Sequence, residues 1–211
     1  MTRRIIDLSH PLFSGSPSWP GDPGLTFSPH CVFEKHGCRV TRIETGTHQG
    51  THVDAPSHFL AEGVGVGEMP LDPFIGPASL LHIPRGRGGI ITANDLRAHA
   101  DRIVPGARIL LHTGWDAMWN HDGFFLDGPA IASDAAEYLA ERHIALLGID
   151  MATPSPKDPE GIHNILLGAD VVIVETLANL GECPDSFTFI ALPLALSGLD
   201  GSPVRAVAVV D

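Results

Sequence analysis

Hydrophobic and polar positions change period several times along this chain. Residues 3–8, RRIIDL, read as a strand, and they run into FSGSPSWPGDPG, whose Pro, Gly and Ser content excludes helix and demands a loop of defined turns. Residues 38–45 alternate with Val40, Arg42 and Glu44 on one parity, the period of a strand. Beyond the glycine-rich AEGVGVGE, residues 78–83 read as a buried strand. Thr92-Ala-Asn-Asp95 has capping-box spacing with aspartate in place of glutamate and predicts a short helix to about residue 100. A strand at 108–112, a helix at 133–142 capped by Ser133, and a strand at 144–150 follow. A short helix at 161–167 hands over at Gly168 to the apolar strand 170–175, and 187–192 and 204–210 read as closing strands. Strands alternating with helices imply parallel pairing covered by helices, so the expected class is α/β. No repeat, linker or low-complexity run divides residues 1–211, which predicts one domain.

Composition supports that picture. At 211 residues, 44% hydrophobic and 18% charged, the chain can bury a sizeable core. Thirteen Lys and Arg against 25 Asp and Glu leave a net charge of −12 with no basic run. Nucleic acid and anionic membranes are therefore poor partners, and a small molecule fits better. No apolar run approaches bilayer length, and Asp7, His10 and Pro11 interrupt MTRRIIDLSHPLF before it could serve as a signal segment. Cys31, Cys38 and Cys183 are odd in number and form no CxxC pair, so no disulfide framework is expected. A reducing cytoplasm with inert, buried thiols is the matching expectation.

The densest chemistry lies in THQGTHVDAPSHF. His48, His52 and His58 are three of 12 histidines, and with Asp54 they fall inside eleven residues. Gly50, Thr51, Val53 and Pro56 disfavour helix, so the segment is extended or looped. All four side chains sit at even positions and share one face of an extended chain. A straight strand would hold His48 and His52 about 13 Å apart. The backbone must therefore bend, and Gly50 and Pro56 are the residue types that permit it. Two imidazoles and a carboxylate suit Zn²⁺, or Mn²⁺ and Fe²⁺ where oxygen donors dominate, and three ligands leave a position open for water. An open position points to catalysis rather than scaffolding. His58, after Pro56 and before Phe59, is placed to act as general acid or base. Far along the chain, His163 on the predicted short helix and Glu175 at the carboxyl end of VVIVE form a second constellation, where α/β sites gather. There is no GxSxG elbow, and GVGVG follows no strand and opens no helix, so serine-hydrolase and dinucleotide readings fail.

His48-x-Gly-Thr-His52-x-Asp54-x-Pro-x-His58 resembles the signature of the metal-dependent cyclase family, which contains bacterial kynurenine formamidases and isatin hydrolases. DLSHPL, WPGD, HTGWD, GID, HNILL, VETLANL and DGSPVRAVAV extend the resemblance almost end to end. It implies a swivelling β/β/α fold with a mixed sheet and flanking helices, assembly as homodimers or homotetramers, and hydrolysis of amides, as in tryptophan catabolism, with one or two divalent ions. By the same resemblance His48, His52 and Asp54 are first-metal ligands, with Asp54 able to bridge. His163 and Glu175 complete a second site, His58 is the acid/base or approaches the second ion, and Trp19 and Phe59 border the substrate. Thr51 and the late HNILLGADVVIVETLANL differ from the kynurenine formamidases, which usually read Gly-Ala-His, and lean toward the general cyclase branch. The implied activity is hydrolysis of N-formylkynurenine or a related aryl formamide. The rivals are a cyclic amide or lactone hydrolase, a cyclase-dehydratase of secondary metabolism, and a non-catalytic metal- or ligand-binding protein. Arg39, Arg42 and Arg205 are candidate counter-charges for an anionic substrate.

Overall fold

The computed structural model describes residues 3–211. In chain order the elements are β1 (Arg4–Asp7), β2 (Thr26–Cys31), α1 (Phe33–His36), β3 (Val40–Glu44), β4 (His52–Asp54), β5 (Ile75–His82), β6 (Ile90–Ile91), α2 (Ala93–Arg97), β7 (Arg108–His112), β8 (Ala130–Ile131), α3 (Ser133–Glu141), β9 (Leu146–Ile149), α4 (Pro159–Gly168), β10 (Val172–Glu175), β11 (Ser186–Ile190), β12 (Gly201–Pro203) and β13 (Val207–Val210). Nine strands form one mixed sheet in the order β1-β13-β11-β5-β7-β9-β10-β4-β12. The central pairs β5/β7, β7/β9 and β9/β10 are parallel and the flanking pairs antiparallel. The fold is mixed α/β, as the alternation of elements predicts.

Period-two alternation splits the core into two layers. Ile109, Leu111, Leu147, Ile149 and Ile173 face α2, α3 and α4, where Leu96, Leu139, Ile162 and Leu166 meet them. Leu110, Leu146, Val172 and Val174 point the other way, into a second cluster with Ile6, Val53, Phe187, Phe189 and Ala208. That second cluster joins residues from both flanks of the sheet, so the sheet curls around it. Each fully buried Leu or Ile contributes about 1.5–3 kcal/mol, and burial on both faces explains why the parallel strands are continuously apolar.

Several expectations shift. The alternating segment at 38–45 is β3, but it pairs only with β2, an unanticipated strand, and stands outside the main sheet. Phe27 lies across from Ile43 and Ser28 across from Arg42, so Phe27 and Ile43 share one face of this ribbon and Ser28 and Arg42 the other. The face with Phe27 and Ile43 meets solvent: Phe27 is 38% and Ile43 64% exposed. The strand expected at 204–210 starts later, as β13 at Val207, and an unanticipated strand, β12 at Gly201–Pro203, lies at the sheet edge, which tolerates Pro203. Helix α2 ends at Arg97 instead of about 100, although Asp95 accepts from the Thr92 backbone N–H at 2.8 Å as a capping box requires. Ser133 is the first helical residue of α3 and the cap position falls on Ala132. Of the cysteines only Cys183 is buried, its thiol pushed by burial up to about 11, while Cys38 is exposed.

Helix α4 begins two residues earlier than expected, with Pro159 in its first turn, where the missing N–H costs nothing. Asp158 caps it, accepting from the Gly161 N–H at 3.0 Å. Thr113 of HTGWD donates its hydroxyl (2.6 Å) and backbone N–H (2.9 Å) to Asp150 of GID, which ties the ends of β7 and β9 together. Among the described residues no helix is long and apolar enough to cross a membrane.

Removing the α4 cap tests how firmly this helix is anchored. Asp158→Ala is expected to lower stability by roughly 0.5–2 kcal/mol in urea unfolding, with the slope of the transition unchanged.

Candidate metal centre

Strands β4 and β10 run antiparallel with His52 directly across from Glu175 and Val53 across from Val174. The valines enter the curled-sheet cluster, so His52, Asp54 and Glu175 emerge on the opposite, helix-facing side. The bends demanded by spacing occur at both expected residues. Gly50 has φ +61, in the left-handed region, and a Cβ there would lie 2.6 Å from Leu12 Cδ2. Pro56 opens a tight 3₁₀ turn through His58. The His48 and His52 rings end 5.1 Å apart between centroids, and His58 stacks on His48 at 3.9 Å.

Asp54, fully buried, stands at the middle. Its Oδ1 lies 2.9 Å from His48 Nδ1 and 3.3 Å from His52 Nε2, and its Oδ2 lies 3.4 Å from His163 Nε2. Glu175 approaches His163 Nε2 at 3.2 Å through Oε1 and His52 Nε2 at 3.4 Å through Oε2. His163 reaches this point from α4, so residues 105 positions or more from His58, the last of the first cluster, join it. Asp54 Oδ2 has no hydrogen-bond partner.

Tautomers follow from the partners. A carbonyl oxygen only accepts, so His52 Nδ1 donates to Gly50 O at 2.7 Å and His163 Nδ1 donates to Pro159 O at 2.7 Å. Both Nε2 atoms therefore turn toward the carboxylates, the orientation that outer partners impose on metal-ligating histidines. Burial alone would drive these imidazoles toward neutrality. The facing Asp54 and Glu175 overcome it, holding His163 up to about 10 and His52 well above its ordinary value. Burial would raise Asp54, but three imidazoles keep it well below the usual carboxylate range. The centre thus calls for positive charge, which a divalent cation supplies in place of protons. His48/His52/Asp54 and Asp54/His163/Glu175 each bring ligand atoms within 4.8 Å of one another, with Asp54 common to both. The orphaned Asp54 Oδ2 and the inward Nε2 atoms fit a divalent metal.

Asp200 is absent from the candidates that spacing suggests. Its Oδ2 lies 2.9 Å from His48 Nε2 and 3.9 Å from His58 Nδ1, while Oδ1 accepts from the Thr47 hydroxyl at 3.1 Å. Edge strand β12 delivers it from 152 residues away. The following residue must be small: a Cβ at Gly201 would meet His48 Cε1 at 2.8 Å. The only sequence signal is the DGSP run itself, which carries no ligand pattern.

A cavity of about 190 Å³ opens over the centre. Trp19, Trp119, Phe125 and Phe59 supply aromatic walls, and Phe59 stacks on His163 at 4.4 Å. The Trp19 loop is tied to the histidine segment through Gln49, whose amide donates to Pro17 O at 2.8 Å and accepts from the Ser18 hydroxyl at 2.8 Å. The arginine expectations fail. Arg205 bonds Asp7 at 2.8 Å, Arg42 pairs with Glu44 at 3.5 Å, and Arg39 lies over Phe33, so none lines the cavity.

Residues 6–155 match the Cyclase family model. The chain belongs to the cyclase family. It is 34% identical over 209 residues to the kynurenine formamidase of Sphingopyxis alaskensis, covering 97% of each chain. A solved structure described as a potential metal-dependent hydrolase with cyclase activity is 30% identical with TM-score 0.81, covering 99% of this chain and 98% of that one. Isatin hydrolase A from Labrenzia aggregata, bound to benzyl benzoate, is 26% identical with TM-score 0.88 over 99% and 94% of the two chains. With that family membership the chain is a metal-dependent hydrolase, and the buried His/Asp/Glu cluster is the candidate site for its divalent ion.

Stoichiometric metal is expected after purification without chelator, and Asp54→Ala is expected to abolish it. Asp200→Asn should weaken binding by about 10- to 100-fold, the usual effect of losing a carboxylate behind a ligating histidine. Stripping the ion from the wild type should lower Tm by several degrees, because a ligand at a hundred times its Kd stabilises by about 2.7 kcal/mol. Metal analysis and a thermal melt check all four.

Proposed function

We propose that the chain hydrolyses a carbon–nitrogen amide bond other than a peptide, with N-formylkynurenine or a related aryl formamide as substrate. The observation that carries this reading is a five-residue His/Asp/Glu centre at the floor of an aromatic-walled cavity. His48, His52 and Asp54 would hold a first ion, and His163 and Glu175, together with Asp54, would hold a second. The donor set suits Zn²⁺ first and Mn²⁺ second. When bound, the divalent ion supplies an acidified water and positive charge for a developing oxyanion.

The rest of the chemistry falls to side chains. His58 belongs to neither group of ligands that meets at Asp54, and it stacks on His48 with its Nδ1 3.9 Å from Asp200. Its ring nitrogen takes the proton from the attacking water and returns it to the leaving amine, so the amide C–N bond breaks without a net change in protons on the enzyme. Trp19 and Phe125, edge to face at 6.1 Å, and Trp119 offer flat apolar surfaces that orient an aryl ring and exclude water. A cyclic amide of the isatin type is the second reading, favoured by the likeness to isatin hydrolase A. Turnover of N-formylkynurenine against isatin separates the two, and consumption of neither with metal bound keeps the family and overturns the substrate. His58→Ala is expected to lower kcat by about 10²- to 10⁴-fold while metal content stays at the wild-type level. Retained turnover would remove His58 from the proton transfer.

We further propose one domain over residues 1–211, a cytoplasmic location, and a homodimer formed through the β2–β3 ribbon. An isolated two-stranded ribbon is marginal by itself in water, and this one leaves Phe27 and Ile43 uncovered. Residues 26–44 also carry three Lys and Arg against two Glu in a chain of net charge −12, so the ribbon complements the acidic body of a second copy. Ile43→Glu is expected to shift the sedimentation mass to that of a monomer with helix content unchanged by circular dichroism.

A further inference from the structure

Asp22 faces the same cavity as the metal centre, beside Trp19. Its backbone N–H closes a turn on Trp19 O at 3.0 Å, with Gly21 at φ +103 permitting the reversal. The Gln49 bonds fix this loop to the segment that carries His48 and His52, so Asp22 stands at a set position relative to the reacting centre. Among the described residues no side chain forms an ion pair with Asp22, and no Lys or Arg lines the cavity. An unpaired carboxylate at the mouth of an aromatic cavity, on a chain of net charge −12, attracts cations and repels anions.

We infer that Asp22 is a specificity residue that selects substrates bearing a cationic group, such as a primary ammonium, at the end remote from the scissile amide, and disfavours a free carboxylate there. The inference rests on the aryl-amide reading above. The aromatic walls grip the ring whatever the remote charge, so the selection acts on KM and on encounter more than on kcat. Because Asp22 is solvent-exposed, the preference is modest, about three- to tenfold, and shrinks as salt screens it.

Three substrates with one scissile group and different remote charges test this: the decarboxylated analogue of N-formylkynurenine, a cation; N-formylkynurenine, a zwitterion; and its deamino analogue, an anion. The metal-loaded wild type is expected to rank them in that order by kcat/KM, with the spread in KM. Asp22→Asn should narrow the cation-to-anion ratio to about twofold or less, and Asp22→Lys should reverse it. A wild-type ratio near one, or a ratio that Asp22→Asn leaves untouched, overturns the inference even where every substrate is hydrolysed. If none is hydrolysed the amide reading fails instead. Calorimetric binding of the three compounds then still reports the charge preference, and equal affinities sink it.

Discussion

A carboxylate buried without solvent has to be neutralised or surrounded by positive charge, and in this protein Asp54 is that carboxylate. Three imidazoles converge on it from two separate parts of the chain, and Glu175 adds a second negative group beside them. Such a concentration of ionisable groups is costly inside a fold unless a cation compensates it. The strands, turns and helix around Asp54 are arranged to make that compensation possible at one point.

The fold meets this requirement with few devices. Antiparallel register sets His52 across from Glu175 while the intervening valines anchor both strands in the core. Gly50 and Pro56 bend the flanking backbone so that His48 and His58 return toward the strand. Backbone carbonyls of Gly50 and Pro159 fix the tautomers of His52 and His163, and Asp200 holds the far side of His48. The loop that carries Trp19 and Asp22 is a different one, joined to the histidine segment through Gln49. Metal affinity and substrate preference can therefore vary with some independence.

Much of this was legible before any coordinates. The parity of His48, His52, Asp54 and His58, together with helix-breaking Gly50 and Pro56, implied a bent extended segment, and local conformation obeys such short-range rules. The strands of the parallel core were visible as apolar runs because burial on both faces leaves no polar alternation. The β2–β3 ribbon was harder to place. Alternation at 38–45 marks a strand but not which neighbour it pairs with or whether Ile43 is covered, and here it meets solvent. Strand β12 escaped because three residues containing glycine and proline carry almost no strand signal.

The sequence by itself determined the class of fold, the metal-type chemistry and the bend in the first ligand row, since each depends on residue types within a few positions of one another. Only the tertiary structure decided that Asp54 is common to two groups of ligands, that Asp200 stands behind His48, that the arginines lie away from the cavity and that Asp22 faces into it. Those relations join residues up to 152 positions apart through strand order and register. Pairing between distant strands is set by packing and by closure of the curled sheet, which no local pattern encodes.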